Sequence, residues 1–345
     1  MNTEKIRVLI IDDSAFARKV IREVLSSDPA IEVIGIARDG LEGLEKISEL
    51  KPDVVTLDLL MPDLDGLGVL EAMPKDSKSK VIVVSISSAD SELGLKALEM
   101  GAIDIVGKPT PLPTDRLYDL SYELILKVKA AAIARVRPLD ASAPKSVQKP
   151  QIKISSPVRL IVIGTSTGGP QALTTLFSSF PEGINVPMAV ALHIPQGYTA
   201  PMAARISQTS KVKLVEAEEG MEILPGTAVI APGGQHLIIE EKNNKFYAHL
   251  TMEPQDTPHH PSVDVLFQSA GQAAGKGTLG IILTGMGNDG LEGSTFIKTQ
   301  GGNIISEDAS SCVVYGMPRS VFEAGVSTLE VPLSEMANTI SSLIS

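Results

Sequence analysis

The chain has 345 residues, 43% hydrophobic but only 3% aromatic with no Trp, and a formal net charge of -11. That length suits two domains with Val, Ile, Leu and Ala cores, and the composition excludes a disordered or low-complexity protein. The acidic balance excludes a protein that reads nucleic acid through a basic domain, and no apolar run approaches the roughly 18 residues of a membrane span.

The N-terminal run "VLII" is cut off by Asp12 and Asp13 where a signal peptide would continue, so the chain is read as cytoplasmic, with no direct membrane insertion. From Lys5, strand and helix signals alternate five times: "IRVLIID", "EVIGIA", "DVVTLD", "VIVVS" and "IDIVGKP" are short β-branched runs separated by amphipathic stretches. In the first of those stretches Ala17, Val20, Ile21, Val24 and Leu25 recur at helical spacing and predict one buried face. The alternation predicts a doubly wound parallel sheet, whose working residues gather at the carboxyl ends of its strands. Asp12 and Asp13 end the first strand, Asp58 the third, Ser85 the fourth, and Lys108 with Pro109 the fifth. Three carboxylates drawn to one edge repel unless a hard cation sits among them, and Mg²⁺ takes oxygen ligands of this kind. A lysine and a hydroxyl beside them would complete a site for a phosphoryl group.

The motifs "DD", "LDLLMPDLDG", "VVSIS" and "GAIDIVGKP" occur in that order, and residues 1–126 resemble the receiver domain of response regulators. The resemblance implies a flavodoxin-like fold in which Asp58 accepts a phosphoryl group from a sensor histidine kinase. It also implies that Asp13, Asp58 and the backbone carbonyl of Leu60 bind Mg²⁺, that Asp12 assists through water, and that Ser85 and Lys108 contact the phosphoryl oxygens. Ile105 stands where many receivers carry an aromatic switch residue.

Charge then changes sign. Residues 1–126 carry 14 basic against 23 acidic side chains, residues 127–159 carry 8 against 1, and residues 160–345 carry 8 against 17. Residues 127–157, rich in Ala, Pro, Ser and Lys, are read as a basic flexible linker between two acidic domains.

Beyond it, "VRLIVIG" predicts a buried strand that runs into "IGTSTGGP". A glycine-rich turn between strand and helix can cradle a phosphate or present a nucleophile. The Lys and Ser/Thr of a phosphate loop are missing, and G-x-G-x-x-G cannot be laid on these residues; G-x-S-x-G fits through Gly164, Ser166 and Gly168. A serine needs a base. His193 follows an apolar run in "VALHIPQGYT", whereas His236, His249, His259 and His260 are more simply surface or turn histidines. Asp289, in the loop of "TLGIILTGMGNDG", could orient the base from a third strand end. The order Ser, His, Asp differs from that of α/β-hydrolases. The single cysteine, Cys312, can form neither an intrachain disulfide nor a multi-Cys zinc site and is read as a packing residue.

"IGTSTGGPQAL", "HIPQGYT", "ILPGTAVIAPGGQHL", "PSVDVLFQS", "ILTGMGNDG" and "CVVYGMPRSV" together resemble the catalytic domain of chemotaxis protein-glutamate methylesterases over residues 158–345. A receiver and a basic linker ahead of that domain complete the family's architecture. The resemblance implies a second doubly wound, Rossmann-like α/β domain. It would hydrolyse glutamate γ-methyl esters and deamidate specific glutamines on methyl-accepting chemoreceptors, giving chemotaxis adaptation under control of receiver phosphorylation. Ser166 would attack, His193 would carry the proton, Asp289 would hold the histidine tautomer, and the backbone N–H groups of Met286 and Thr167 would hold the oxyanion. No metal or cofactor is implied at the hydrolase site. Where the family usually places Arg before "PSVDVLF", this chain has His260 and Pro261, so a basic anchor there would be weaker or depend on pH; the simpler reading of the His259–His260 pair is two solvated loop residues. Two rival readings are a nucleotide-binding module, disfavoured by the missing lysine, and a non-catalytic receiver-controlled adaptor, which has no need of a Ser, His and Asp set.

Overall fold

The computed structural model describes residues 4–74, 76–85, 91–108, 114–134, 156–181 and 183–344, without the side chains of residues 85 and 114–121. Pro109 and residues 135–155 of the expected linker lie outside the described residues.

The first unit alternates β1 (Ile6–Ile11), α1 (Ala15–Ser26), β2 (Ile31–Ala37), α2 (Gly40–Leu50), β3 (Val54–Asp58), α3 (Gly66–Ala72), β4 (Lys80–Ser85), α4 (Ser91–Glu99), β5 (Asp104–Gly107) and α5 (Thr114–Ile133). Its strands are all parallel, in the order β2-β1-β3-β4-β5. Val8, Leu9, Ile10 and Ile11 of β1 are all buried, as expected of a strand covered on both faces. α1 begins where the Ser14 hydroxyl accepts the Ala17 N–H at 3.3 Å, and buries Ala17, Ile21 and Leu25, while Val20 and Val24 are half-buried. The sheet changes direction at β1, with β2 on one side and β3 on the other. Ligands of open parallel sheets bind at such a reversal, beyond the strands' carboxyl ends.

The expected start of the linker is corrected here. Residues 127–133 are the last turns of α5. Lys127 is buried, donating to Asp104 Oδ1 at 3.0 Å and to the Ile105 carbonyl at 2.7 Å, and pairing with Glu123 at 3.0 Å. A lysine that composition assigns to a tether therefore pins α5 to β5.

In the second unit β6 (Leu160–Thr165), α6 (Gly169–Ser178), β7 (Met188–Leu192), α7 (Thr199–Thr209), β8 (Lys213–Glu216), β9 (Glu222–Ile223) and β10 (Thr227–Ile230) lead to a hairpin, β11 (His236–Lys242) and β12 (Lys245–Thr251). Then follow α8 (Val263–Ala274), β13 (Thr278–Ile282), α9 (Leu291–Thr299), β14 (Asn303–Glu307), α10 (Met317–Glu323), β15 (Leu329–Val331) and α11 (Leu333–Ile344). The seven-stranded sheet is parallel and ordered β15-β14-β13-β6-β7-β10-β8, so its reversal falls at β6, between β7 and β13. An antiparallel sheet, β11-β12-β9, is an addition to the expected doubly wound plan. Its hairpin turns through Asn243 and Asn244, at φ 53° and 64°, the backbone that a tight hairpin demands and asparagine tolerates.

No helix among the described residues is long and apolar enough to cross a membrane.

Candidate functional site

At the carboxyl edge of the first sheet, carboxylate oxygens of Asp12, Asp13 and Asp58 lie within 4.8 Å of one another. Lys108, just past β5, reaches Asp58 Oδ2 at 2.6 Å and Asp12 Oδ2 at 3.1 Å. Arg18, from the first turn of α1, donates to the carbonyls of Asp12 and Asp13 at 2.7 and 2.9 Å and ties down the loop that carries them. Leu60 donates its N–H to Asp58 Oδ1 at 3.3 Å. Ser85 closes β4, paired in register with Gly107; its side chain is not described.

Burial, with the Asp12 charge adding to it and Lys108 opposing, pushes Asp58 up to about 6; burial likewise raises Asp12 against the pull of Lys108. A folded-state value above the ordinary 3.8 means that folding favours protonated Asp58. The group's stabilising contribution is complete below pH 4 and lost as pH rises through about 6. Without divalent cations, Asp58→Asn should therefore unfold later than wild type at pH 7.5, by up to about 3 kcal/mol, and the two should converge near pH 4. Urea midpoints at the two pH values check this; an unchanged difference would remove electrostatic strain as its cause.

In the second unit, Thr165 and Leu192 are register partners on β6 and β7, so Ser166 and His193, the next residues, leave adjacent strands side by side. The turn after Ser166 passes through Gly168 at φ 79° into α6. Only glycine suits that position, where a Cβ would also lie 2.6 Å from that of Val313. On the other side of β6, the loop after β13 lies against the serine: a Cβ on Gly285 would stand 2.8 Å from the Ser166 Cβ. Met286, next along, and Thr167 have backbone N–H groups with no acceptor among the described residues. Ser166 and His193 are 6% and 5% exposed, the access expected of side chains that line a crevice.

His193 Nε2 lies 2.8 Å from Asp289 Oδ2. Asp289 also accepts the N–H groups of Val263 at 2.7 Å and Asp264 at 2.9 Å, and the Ser262 hydroxyl at 2.9 Å. Ser262 is the N-cap of α8, so the carboxylate sits on that helix's positive end. Burial opposes its charge, but His193 and the two backbone donors prevail and hold Asp289 well below the usual carboxylate range. Burial and the Asp289 charge push the neighbouring Asp264 the other way. An ionised Asp289 can only accept, so Nε2 carries a proton, and in the neutral ring Nδ1 then holds the lone pair. That Nδ1 is buried without a hydrogen-bond partner among the described residues.

Residues 161–340 match the CheB methylesterase domain family and residues 8–118 the response regulator receiver domain family. The chain belongs to the CheB methylesterase family. A Myxococcus xanthus protein named protein-glutamate methylesterase/protein-glutamine glutaminase 5 is 51% identical over 334 residues, 96% of each chain. A namesake from Lawsonia intracellularis is 40% identical, over 98% of this chain and 99% of its own. The crystal structure of the Thermotoga maritima CheB methylesterase catalytic domain is 36% identical and superposes with a TM-score of 0.53, covering 55% of this chain and all of that one.

Several polar residues around this CheB-type site are placed differently from the sequence reading or were missed by it. His236 is fully buried: its Nδ1 accepts the Ser262 N–H at 3.0 Å while Nε2 meets the Pro254 carbonyl at 3.1 Å. His259 stacks on His193 with ring centroids 4.0 Å apart, and His260 lies against His236 at 4.4 Å, so the His259–His260 pair is half-buried and ring-packed. The surface-or-turn expectation fits His249, between Glu219 and Glu240 on the hairpin sheet, and the half-buried loop residues His259 and His260, and fails for His236. Ser262 and Asp264 went unnoticed although "PSVDVLF" carries an N-cap serine and a first-turn acid. Cys312 is buried as expected, its Sγ 3.7 Å from the Glu307 carbonyl, and burial together with Glu307 and Asp308 pushes its thiol far up.

Proposed function

We propose that the domain from residue 158 is a serine hydrolase that demethylates glutamate γ-methyl esters, and deamidates specific glutamines, on chemoreceptors, under the control of a phosphorylatable receiver. The observation that carries this reading is the hydrogen bond of His193 Nε2 to Asp289, which leaves a buried Nδ1 without a partner among the described residues, one residue past the strand that neighbours that of Ser166.

In the first half-reaction Ser166 Oγ attacks the side-chain carbonyl as its proton passes to His193 Nδ1. The imidazolium is stabilised by Asp289 and returns that proton to the departing methanol or ammonia. Water, activated by the same nitrogen, then releases glutamate. The N–H groups of Met286 and Thr167 hold the developing oxyanion; a single such donor in other serine hydrolases is worth roughly 3 kcal/mol.

In the receiver, Asp58 is the phosphoacceptor and a histidine kinase the donor. The all-oxygen set of Asp12, Asp13 and Asp58, with raised carboxyl values that a cation would relieve, fits Mg²⁺, with the Leu60 carbonyl as a further ligand. When bound, the metal neutralises phosphoryl charge, while Ser85 and Lys108 orient the phosphoryl oxygens. The linker of this reading starts after α5, and the protein acts in the cytoplasm on the receptors' exposed helices. An adaptor without catalysis is disfavoured by the His193–Asp289 pair, whose histidine leaves the strand neighbouring that of Ser166.

Methanol release from a methylated receptor fragment, with and without a small-molecule phosphodonor, tests the reading. Wild type should release methanol and accelerate with the donor. Asp58→Asn should keep the basal rate, take up no phosphoryl group and lose the acceleration. No release from cognate receptor by wild type would make the adaptor reading the better one.

A further inference from the structure

Every polar group of Thr284 is engaged, and three of its six hydrogen bonds go to the turn that carries Ser166. Its carbonyl accepts the Ser166 N–H at 3.0 Å and the Thr165 hydroxyl at 2.7 Å. Its own hydroxyl donates to the Thr167 carbonyl at 3.0 Å, with the Val314 carbonyl at 3.3 Å, and accepts the Val314 N–H at 2.9 Å. Its N–H is held at 2.8 Å by Oε2 of Glu307, a carboxylate at the end of β14 whose other oxygen accepts the Ser311 hydroxyl at 2.9 Å. Thr165, Thr167, Thr284, Val314 and Glu307 are all buried. Through this residue the turn 165–167, which carries the serine, is hydrogen-bonded to the loop 284–289, which carries Met286 and Asp289 and lies far from it in sequence.

We infer that Thr284, braced by Glu307, is a positioning residue that sets the spacing between the Ser166 nucleophile and the Met286 oxyanion loop. The inference rests on the hydrolase reading above. Thr284 touches no reacting atom. It acts because the nucleophile turn is bonded to it on three sides, through the N–H of Ser166, the hydroxyl of Thr165 and the carbonyl of Thr167. Glu307 fixes it from behind, so the crevice floor does not shift when charge builds on the substrate oxygen. Preorganisation of this kind affects the transition state more than the ground state.

The test uses the full chain, a glutamate γ-methyl ester peptide as substrate and a fluorophosphonate as a reporter of Ser166 reactivity. Thr284→Val keeps the shape and removes the hydroxyl; Thr284→Ser keeps the hydroxyl. The Val variant should lose about 10- to 100-fold in kcat with KM within about two-fold, since displacements of an ångström have effects of that size. Fluorophosphonate labelling should slow in parallel, and Ser should restore kcat to within about three-fold of wild type. If the Val variant does not fold, Thr284→Ala, which also lacks the hydroxyl, takes its place. A hydroxyl-free variant with wild-type kcat and labelling rate, a change confined to KM, or a Ser variant as slow as Val would each overturn the inference. Ser166→Ala in the same assay separates the two levels: turnover there would defeat the hydrolase reading itself.

Discussion

Ser166→Ala should lower turnover of a glutamate γ-methyl ester by about five to six orders of magnitude, as loss of the nucleophile does in other serine hydrolases. The alanine cannot form the acyl intermediate, and the Thr167 side chain, although buried, belongs to the residue beyond the turn's nucleophile. Removing His193 as well should cost little more, because in the proposed mechanism serine and histidine act as one unit, and such losses do not add. The double variant therefore discriminates better than either single. If Ser166→Ala and His193→Ala losses multiplied, the two side chains would be working independently and the proton path through Nδ1 would be wrong. Unfolding midpoints within about 0.5 kcal/mol of wild type, usual for a substitution that leaves no cavity or orphaned group, would show that chemistry alone was lost.

Asp289→Asn should cost about 10⁴-fold in kcat through the tautomer. The asparagine amide, facing His193 Nε2, donates where the carboxylate accepted. The imidazole must then carry its proton on Nδ1, the nitrogen that the proposed mechanism uses as base, and the base is gone. Stability carries a second signature. Asp289 is held below the ordinary carboxylate range, so its stabilising contribution is fully present above about pH 4 and lost as pH falls through its folded-state value. Wild type should lose stability steeply at acid pH where Asp289→Asn does not. Equal acid slopes would mean that the α8 terminus does not hold the charge. A kcat within ten-fold of wild type would mean that the histidine keeps its tautomer by other contacts.

Residues that end strands were legible in the chain because a doubly wound sheet places them at one edge whatever the rest of the sequence does. Asp12, Asp58, Lys108, Ser166 and His193 all follow from that rule. Partners chosen by packing were not legible. Nothing near Thr284 in sequence points to Ser166, more than a hundred residues away, since the bond between them runs across neighbouring strands whose order no local pattern reveals. Glu307 reads as one acid among many, and only its burial behind Thr284 gives it a role. His236 misled for a related reason: the turn before it suggests exposure, yet it is fully buried with the His260 ring against it. Lys127 reads as linker because its neighbours are Ala and Lys, and its true environment is set by Asp104, twenty-three residues earlier.

Cys312 has a practical side. It is the chain's one cysteine, buried at 3% exposure with its thiol held protonated. Since thiolates rather than thiols react with alkylating reagents, the native protein is its own unlabelled blank. A cysteine introduced at an exposed position such as Lys245 would be the sole attachment point for a fluorophore or spin label, with no native sulfur to delete first.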